Sequence, residues 1–166
     1  VRKTGTILEL GVGSGAIVVS LAKACPDALF FAGDLSRVAL GTARINASRE
    51  KEIGTIHFFN GSWFDCLAPR PYFDIIVSNP PYIPTRQIPG LAPEIRNHEP
   101  VTALDGGVDG MDCLREIMTR AGDFLVPGGH LLLEMGFDQK AKVTALAETC
   151  SAFDQIDVIQ DLAGHD

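Results

Sequence analysis

Short, strongly apolar runs alternate along the chain with segments of helical periodicity. Strands buried on both faces read as near-continuous apolar runs, and their alternation with helices is the pattern of a parallel sheet covered by helices on both faces. The first run, Thr6 to Leu10, breaks into glycines from Gly11 to Gly15, and a helix follows from Ala16 to about Ala24, ended by Pro26-Asp27. Ala28 to Ala32 predicts a second strand that stops at Asp34. Ser36 is placed to cap a helix running to about Arg49, with Val38, Leu40, Ala43 and Ile45 facing inward. Thr55 to Phe59 and Phe73 to Ser78 predict the third and fourth strands.

After Asn79-Pro80-Pro81-Tyr82 the pattern lapses, and Ile83 to Gly110 shows no clear periodicity. A loop that long inside a compact domain is uncommon and usually functional. Periodicity returns as a helix over Met111 to Phe124, a turn at Pro127-Gly128-Gly129 and a fifth strand over His130 to Met135. A helix over Gln139 to Ala147 and a last strand over Phe153 to Ile159 complete the reading, before the turn-like Gly164-His165-Asp166.

Composition narrows the class. The 166 residues suit one domain, and 46% hydrophobic residues with nine Phe argue against disorder. No apolar run approaches the ~18 residues of a membrane span, and no signal-peptide pattern opens the sequence, so a cytoplasmic protein without membrane attachment is expected. Net charge is -7, and the basic residues are scattered, which disfavours a nucleic-acid partner. Cys25, Cys66, Cys113 and Cys150 are widely separated and read as reduced thiols. Neither they nor His57, His98, His130 and His165 show metal-ligand spacing, so no metal is expected.

The glycine-rich stretch carries the first chemistry. A strand, tight glycines and a helix start bring backbone N–H groups and the positive end of the helix toward a ligand. Gly11, Gly13 and Ala16 satisfy the loose dinucleotide pattern, and Asp34, 19 residues beyond Gly15, can accept from ribose hydroxyls. The glycines and Asp34 alone fit a nicotinamide cofactor or S-adenosyl-L-methionine equally well. With Glu9 ahead of them, Glu9-Leu10-Gly11-Val12-Gly13-Ser14-Gly15 resembles the first motif of class I S-adenosylmethionine-dependent methyltransferases.

The Asn79-Pro80-Pro81-Tyr82 turn carries the second. Two prolines stiffen it, and the Asn79 amide oxygen and the Pro80 carbonyl can both accept from one planar –NH2 group while Tyr82 offers a ring face. An amide or heteroaromatic amine is a poor nucleophile, and fixed acceptors can aim its lone pair at an electrophilic methyl without a strong base.

Joined to Ile83-Pro84, Leu91 to Arg96, Glu99-Pro100 and Ala103 to Gly110, this turn closely resembles the protein-glutamine N5-methyltransferases that modify peptide chain release factors, with matches from about Ile7 to the end of the chain. The resemblance implies a Rossmann-like class I fold over residues 1–166 and methyl transfer from S-adenosyl-L-methionine to the glutamine of a release factor's Gly-Gly-Gln motif. It also implies that Gly11 to Gly15 wrap the methionine part of the cofactor, Asp34 holds the ribose and Trp63 packs on the adenine. Asn79 then touches both cofactor and substrate amide, and Pro80, Pro81 and Tyr82 shape the glutamine pocket.

Three departures from the family pattern stand out. The Trp63-Phe64 pair follows Ser62 where the family usually has Asp, so an adenine amine would meet an uncharged acceptor. The family's preceding helical domain and the final strand of its sheet are missing from the pattern, which leads to the expectation of a fragment that self-associates through an open sheet edge. Glutamine methylation of a large-subunit ribosomal protein, a DNA or RNA amino methyltransferase, a nicotinamide oxidoreductase and a non-catalytic cofactor-binding domain are the alternatives.

Overall fold

A computed structural model describes residues 5–160. Gly164-His165-Asp166 lie outside the described residues. Five strands, β1 (Thr6–Leu10), β2 (Leu29–Asp34), β3 (Thr55–Asn60), β4 (Phe73–Ser78) and β5 (Leu125–Leu133), form one sheet in the order β3-β2-β1-β4-β5. The helices are α1 (Ala16–Ala24), α2 (Arg37–Arg49), the single turn α3 (Pro93–Arg96), α4 (Asp112–Ala121) and α5 (Lys140–Thr149). β1 pairs in parallel with β2 and with β4, and β2 with β3. This is the doubly wound order of a Rossmann-like, class I methyltransferase sheet, with its direction of winding reversed between β1 and β4. Ligands of such sheets bind beyond the carboxyl ends of the strands at that reversal, where Leu10 lies opposite Ser78.

Backbone contacts group the chain into two units, Val1–Ser78 with Asp123–Leu132, and Asn79–Gly122 with the residues from Leu133 on. In the first, Leu8, Leu10, Phe30 and Ile76 are essentially inaccessible, because a central parallel strand is covered on both faces. On one face of the sheet, Val18 and Ala22 of α1 and Leu40 and Ala43 of α2 pack with Ile7, Val12, Phe30 and Ala32. Phe64 stacks on Phe124 with ring centroids 4.4 Å apart. In the second unit, α4 buries Leu114, Ile117, Met118 and Ala121 at helical spacing and packs on α5.

The first four strands and the first two helices match the sequence reading to within a residue or two at their ends. Four details differ. Val38 and Ile45 are exposed, since at about 3.6 residues per turn they fall on the side of α2 opposite Leu40 and Ala43. Pro127-Gly128-Gly129 lies within β5 instead of forming a turn ahead of it. Gly129 permits this, because a Cβ there would stand 3.1 Å from the carbonyl oxygen of Asp74 on β4. The segment Phe153 to Ile159 is not a strand: it is interrupted by Asp154, Gln155 and Asp157, Gln155 donates to Asp157 at 2.7 Å, and Ile159 is open to solvent. The stretch from Ile83 to Gly110 contains short 3-10 turns at Thr85–Gly90 and Val101–Ala103 besides α3, and Ile83 forms a β-bridge with Asp105.

Candidate active site

The first unit builds a cradle from the ends of β1, β2 and β3. Leaving β1, the chain turns at once, and the carbonyl of Gly33 on β2 accepts from the N–H groups of both Gly11 (2.9 Å) and Val12 (3.0 Å). Gly11, Gly13 and Gly15 all have φ between 53° and 84°, the left-handed region that only glycine enters without penalty. The result is a tight loop capping α1, in which Gly15 N–H donates back to Val12 and the Ser14 carbonyl accepts from Asn46 of α2. Ser14 is exposed and Val12 buried, so the loop presents its backbone and the Ser14 side chain outward.

Asp34 ends β2 beside this loop. One carboxylate oxygen accepts from Gly13 N–H at 2.9 Å, the other from Ser36 N–H at 2.7 Å. Ser36 caps α2 through Ala39 N–H, as expected from its place in the sequence. Asn60, opposite Asp34 on β3, donates its side-chain amide to the carbonyls of Asp34 and Leu35 at 2.8 and 2.9 Å and fixes the backbone that carries the carboxylate. Sequence reasoning missed Asn60; its signal was a polar residue at the carboxyl end of a strand otherwise read only for apolar content.

Trp63 brings the aromatic wall. Its ring lies over Gly11, 3.6 Å from where a Cβ would stand. The residue itself has φ 41°, a conformation few non-glycine residues adopt and one that concentrates at functional sites. Ser62 precedes it, half-buried, and Phe64 anchors it by filling the core.

Glu9 is 2% exposed and turned toward α1, where its Oε2 accepts from Val18 N–H at 2.8 Å. Burial pushes its carboxyl up to about 8; the Val18 hydrogen bond opposes this and the nearby Asp34 charge adds to it. Glu9 thus holds the start of α1 against β1, and the cradle's carboxylate is that of Asp34.

The second unit begins with the Asn-Pro-Pro-Tyr turn, directly after Ser78. Asn79 is exposed, and its amide makes no hydrogen bond among the described residues, whereas Pro80 is fully buried and Pro81 partly so. Tyr82 donates its hydroxyl to Glu134 at 3.3 Å. Burial first, and then the Glu134 carboxylate, push the phenol above its ordinary range, so it stays a neutral donor. Glu94, Arg96 and Glu99 of the long loop are exposed, and Arg96 donates to the Pro89 carbonyl.

The family model for the methyltransferase small domain matches residues 1–94, which take in the cradle and the turn. The chain belongs to the methyltransferase small domain family. It is 41% identical over 166 residues to a protein named release factor glutamine methyltransferase from Thermosynechococcus vestitus, covering 99% of this chain and 57% of that protein. The chain spans little more than half the length of the curated relatives it matches. Among solved structures it resembles a ribosomal protein L11 methylase from Lactobacillus delbrueckii subsp. bulgaricus, with TM-score 0.63, 18% identity, and coverage of 90% of this chain and 62% of that one. It also resembles PKMT2 from Rickettsia typhi in complex with AdoHcy, with TM-score 0.51, 19% identity, and coverage of 78% and 20%. At these identities the structural likeness establishes the fold. Among the described residues no helix is long and apolar enough to cross a membrane.

Proposed function

We propose that this chain is the methyl-transferring part of a protein-glutamine N5-methyltransferase, with S-adenosyl-L-methionine as methyl donor and the Gly-Gly-Gln glutamine of a peptide chain release factor as acceptor. The observation that carries the reading is the 41% identity to the Thermosynechococcus vestitus protein of that name, sustained across this chain. The donor fits the residues present. A glycine loop with left-handed φ admits a ligand close to its backbone, Asp34 offers carboxylate oxygens for ribose hydroxyls, and the Trp63 ring offers a face for adenine. The Asp34 carboxylate beside the glycine loop suits a cationic ligand.

When bound, the cofactor supplies an electrophilic methyl on a sulfonium, a leaving group that needs no acid. The protein's part is then orientation. Asn79 Oδ1 and the Pro80 carbonyl accept the two hydrogens of the glutamine side-chain amide, so the nitrogen's lone pair is freed from the amide plane and aimed at the methyl carbon. Tyr82, held by Glu134, packs against the amide. Transfer of that methyl, with the bonding electrons left on sulfur, would release one amide proton to solvent and leave N5-methylglutamine between the Asn79 and Pro80 acceptors.

The test is transfer of isotopically labelled methyl to an intact release factor, beside a variant with the Gly-Gly-Gln glutamine changed to alanine, with mass-spectrometric mapping. Label on that glutamine alone is expected. Equal labelling of the two substrates, or label on a ribosomal protein or nucleic acid instead, would replace this reading by another acceptor.

A further inference from the structure

Behind the Asn-Pro-Pro-Tyr turn lies a buried side chain with no part in the chemistry above. Gln139 is 3% exposed, and it stands at the N-terminus of α5 with its whole amide engaged. Its Nε2 donates to the carbonyl of Tyr82 at 2.9 Å and to that of Gly110 at 3.1 Å, and its Oε1 accepts from Gly136 N–H at 2.8 Å. One amide therefore joins three stretches of backbone: the turn, the far end of the long loop, and the segment after β5.

The surroundings are fitted to this amide. Gly110, at φ 77°, has no room for a side chain, because a Cβ would overlap the Tyr82 carbonyl and stand 2.6 Å from the Gln139 Nε2. Gly106 is packed in the same way, since a Cβ there would stand 2.8 Å from the Tyr82 Cα. Ile83 and Thr85, next along the chain, donate to Leu104 and Gly107, and Gly106 donates to Ile83. Tyr82 thus has its backbone fixed by Gln139 and its hydroxyl by Glu134.

We propose that Gln139 is a positioning residue for methyl transfer, which holds the Tyr82 backbone so that the turn's acceptors meet the substrate amide in one geometry. The proposal rests on the reading of the turn as the amide-binding element. Its physical basis is that two carbonyls sharing one buried donor group lose both bonds if it is removed, and that catalysis by orientation is sensitive to displacements of about 1 Å.

The test uses Gln139→Glu, which keeps the shape and the acceptor for Gly136 but sets a carboxylate against two carbonyls. Leu114→Ala, a cavity in the α4 core, is the control for lost stability. Turnover, cofactor affinity, melting temperature and amide exchange at Ile83 and Thr85 are read for each, well below the melting transition. At pH 8 Gln139→Glu should lose at least thirty-fold in kcat with cofactor Kd within two-fold. Relative to wild type its kcat should recover several-fold toward pH 6, where the carboxyl regains a proton to donate. Leu114→Ala should stay within three-fold in kcat. A loss in Gln139→Glu under three-fold, or one that Leu114→Ala matches, would overturn the proposal. If the wild-type protein labels no glutamine, the functional reading fails by itself and exchange decides: Ile83 and Thr85 exchanging ten-fold faster in Gln139→Glu than in Leu114→Ala supports the positioning role, and equal rates refute it.

Discussion

Glu9 in β1 and Val18 in α1 are joined by a buried hydrogen bond of 2.8 Å between a side-chain oxygen and a helix N–H. The eight residues between them contain the whole glycine loop, so this bond closes the base of the cradle. An N–H near the start of a helix lacks a carbonyl partner in its own helix, and a carboxyl group supplied from the preceding strand satisfies it.

That arrangement makes stability depend on pH. The folded-state value of about 8 lies above the ordinary 4.5, so between those limits the folded protein binds a proton that the unfolded chain releases. Stability from this group is fully present below pH 4.5 and is lost as pH rises through 8, by at most ~5 kcal/mol. Gln at this position keeps an acceptor for Val18 and does not titrate. Denaturant unfolding at pH 5 and pH 8.5 should show a smaller fall in Glu9→Gln than in wild type; equal falls would mean that Glu9 is ionised at neutral pH in the folded protein.

Asn79 is expected to matter for turnover more than for cofactor binding. Loss of one placed polar group at a reacting centre typically costs about 10²–10³ in kcat. Asn79→Ala should therefore lower kcat in that range while cofactor Kd, measured by calorimetry, stays within two-fold. Parallel losses in the two quantities would reassign Asn79 to cofactor contact alone.

Trp63 combines a ring over Gly11 with a left-handed backbone, and two substitutions separate these. Trp63→Ala and Trp63→Gly both remove the aromatic face, and each should weaken cofactor binding about ten-fold. Glycine alone relieves the backbone strain, by roughly 1 kcal/mol, so Trp63→Gly should melt above Trp63→Ala. Identical melting temperatures would show that the positive φ carries no cost.

What could be read from the sequence was what local pattern and short-range chemistry encode. The run Thr6–Leu10, the glycines after it and Asp34 at the end of β2 announce themselves by composition and spacing, and the cradle follows from them. The Asn-Pro-Pro-Tyr turn was legible because two prolines after a buried strand admit few conformations. Gln139 and Asn60 were not, since each acts on backbone groups distant in sequence, 57 and 29 residues away for the first and 26 and 25 for the second. The strand expected over Phe153–Ile159 failed because its apolar residues are too few to outweigh the polar ones between them, and Pro127-Gly128-Gly129 misled because glycine serves a close strand approach as readily as a turn.

Ser62 offers a gain of function. It stands before the Trp63-Phe64 pair, half-buried, next to a ring that is proposed to carry adenine. A hydrogen bond from an exocyclic amine to a carboxylate is roughly twice as strong as one to a neutral hydroxyl, although a partly exposed charge loses much of that advantage to solvent. Ser62→Asp should thus tighten binding of S-adenosyl-L-methionine by about three- to ten-fold, and the gain should shrink with added salt, as charge-assisted contacts near a surface do. Binding of an analogue in which the adenine amine is replaced by hydrogen should show no gain. Equal tightening for both ligands would mean that the new carboxylate acts on the cationic end of the cofactor and not on its base.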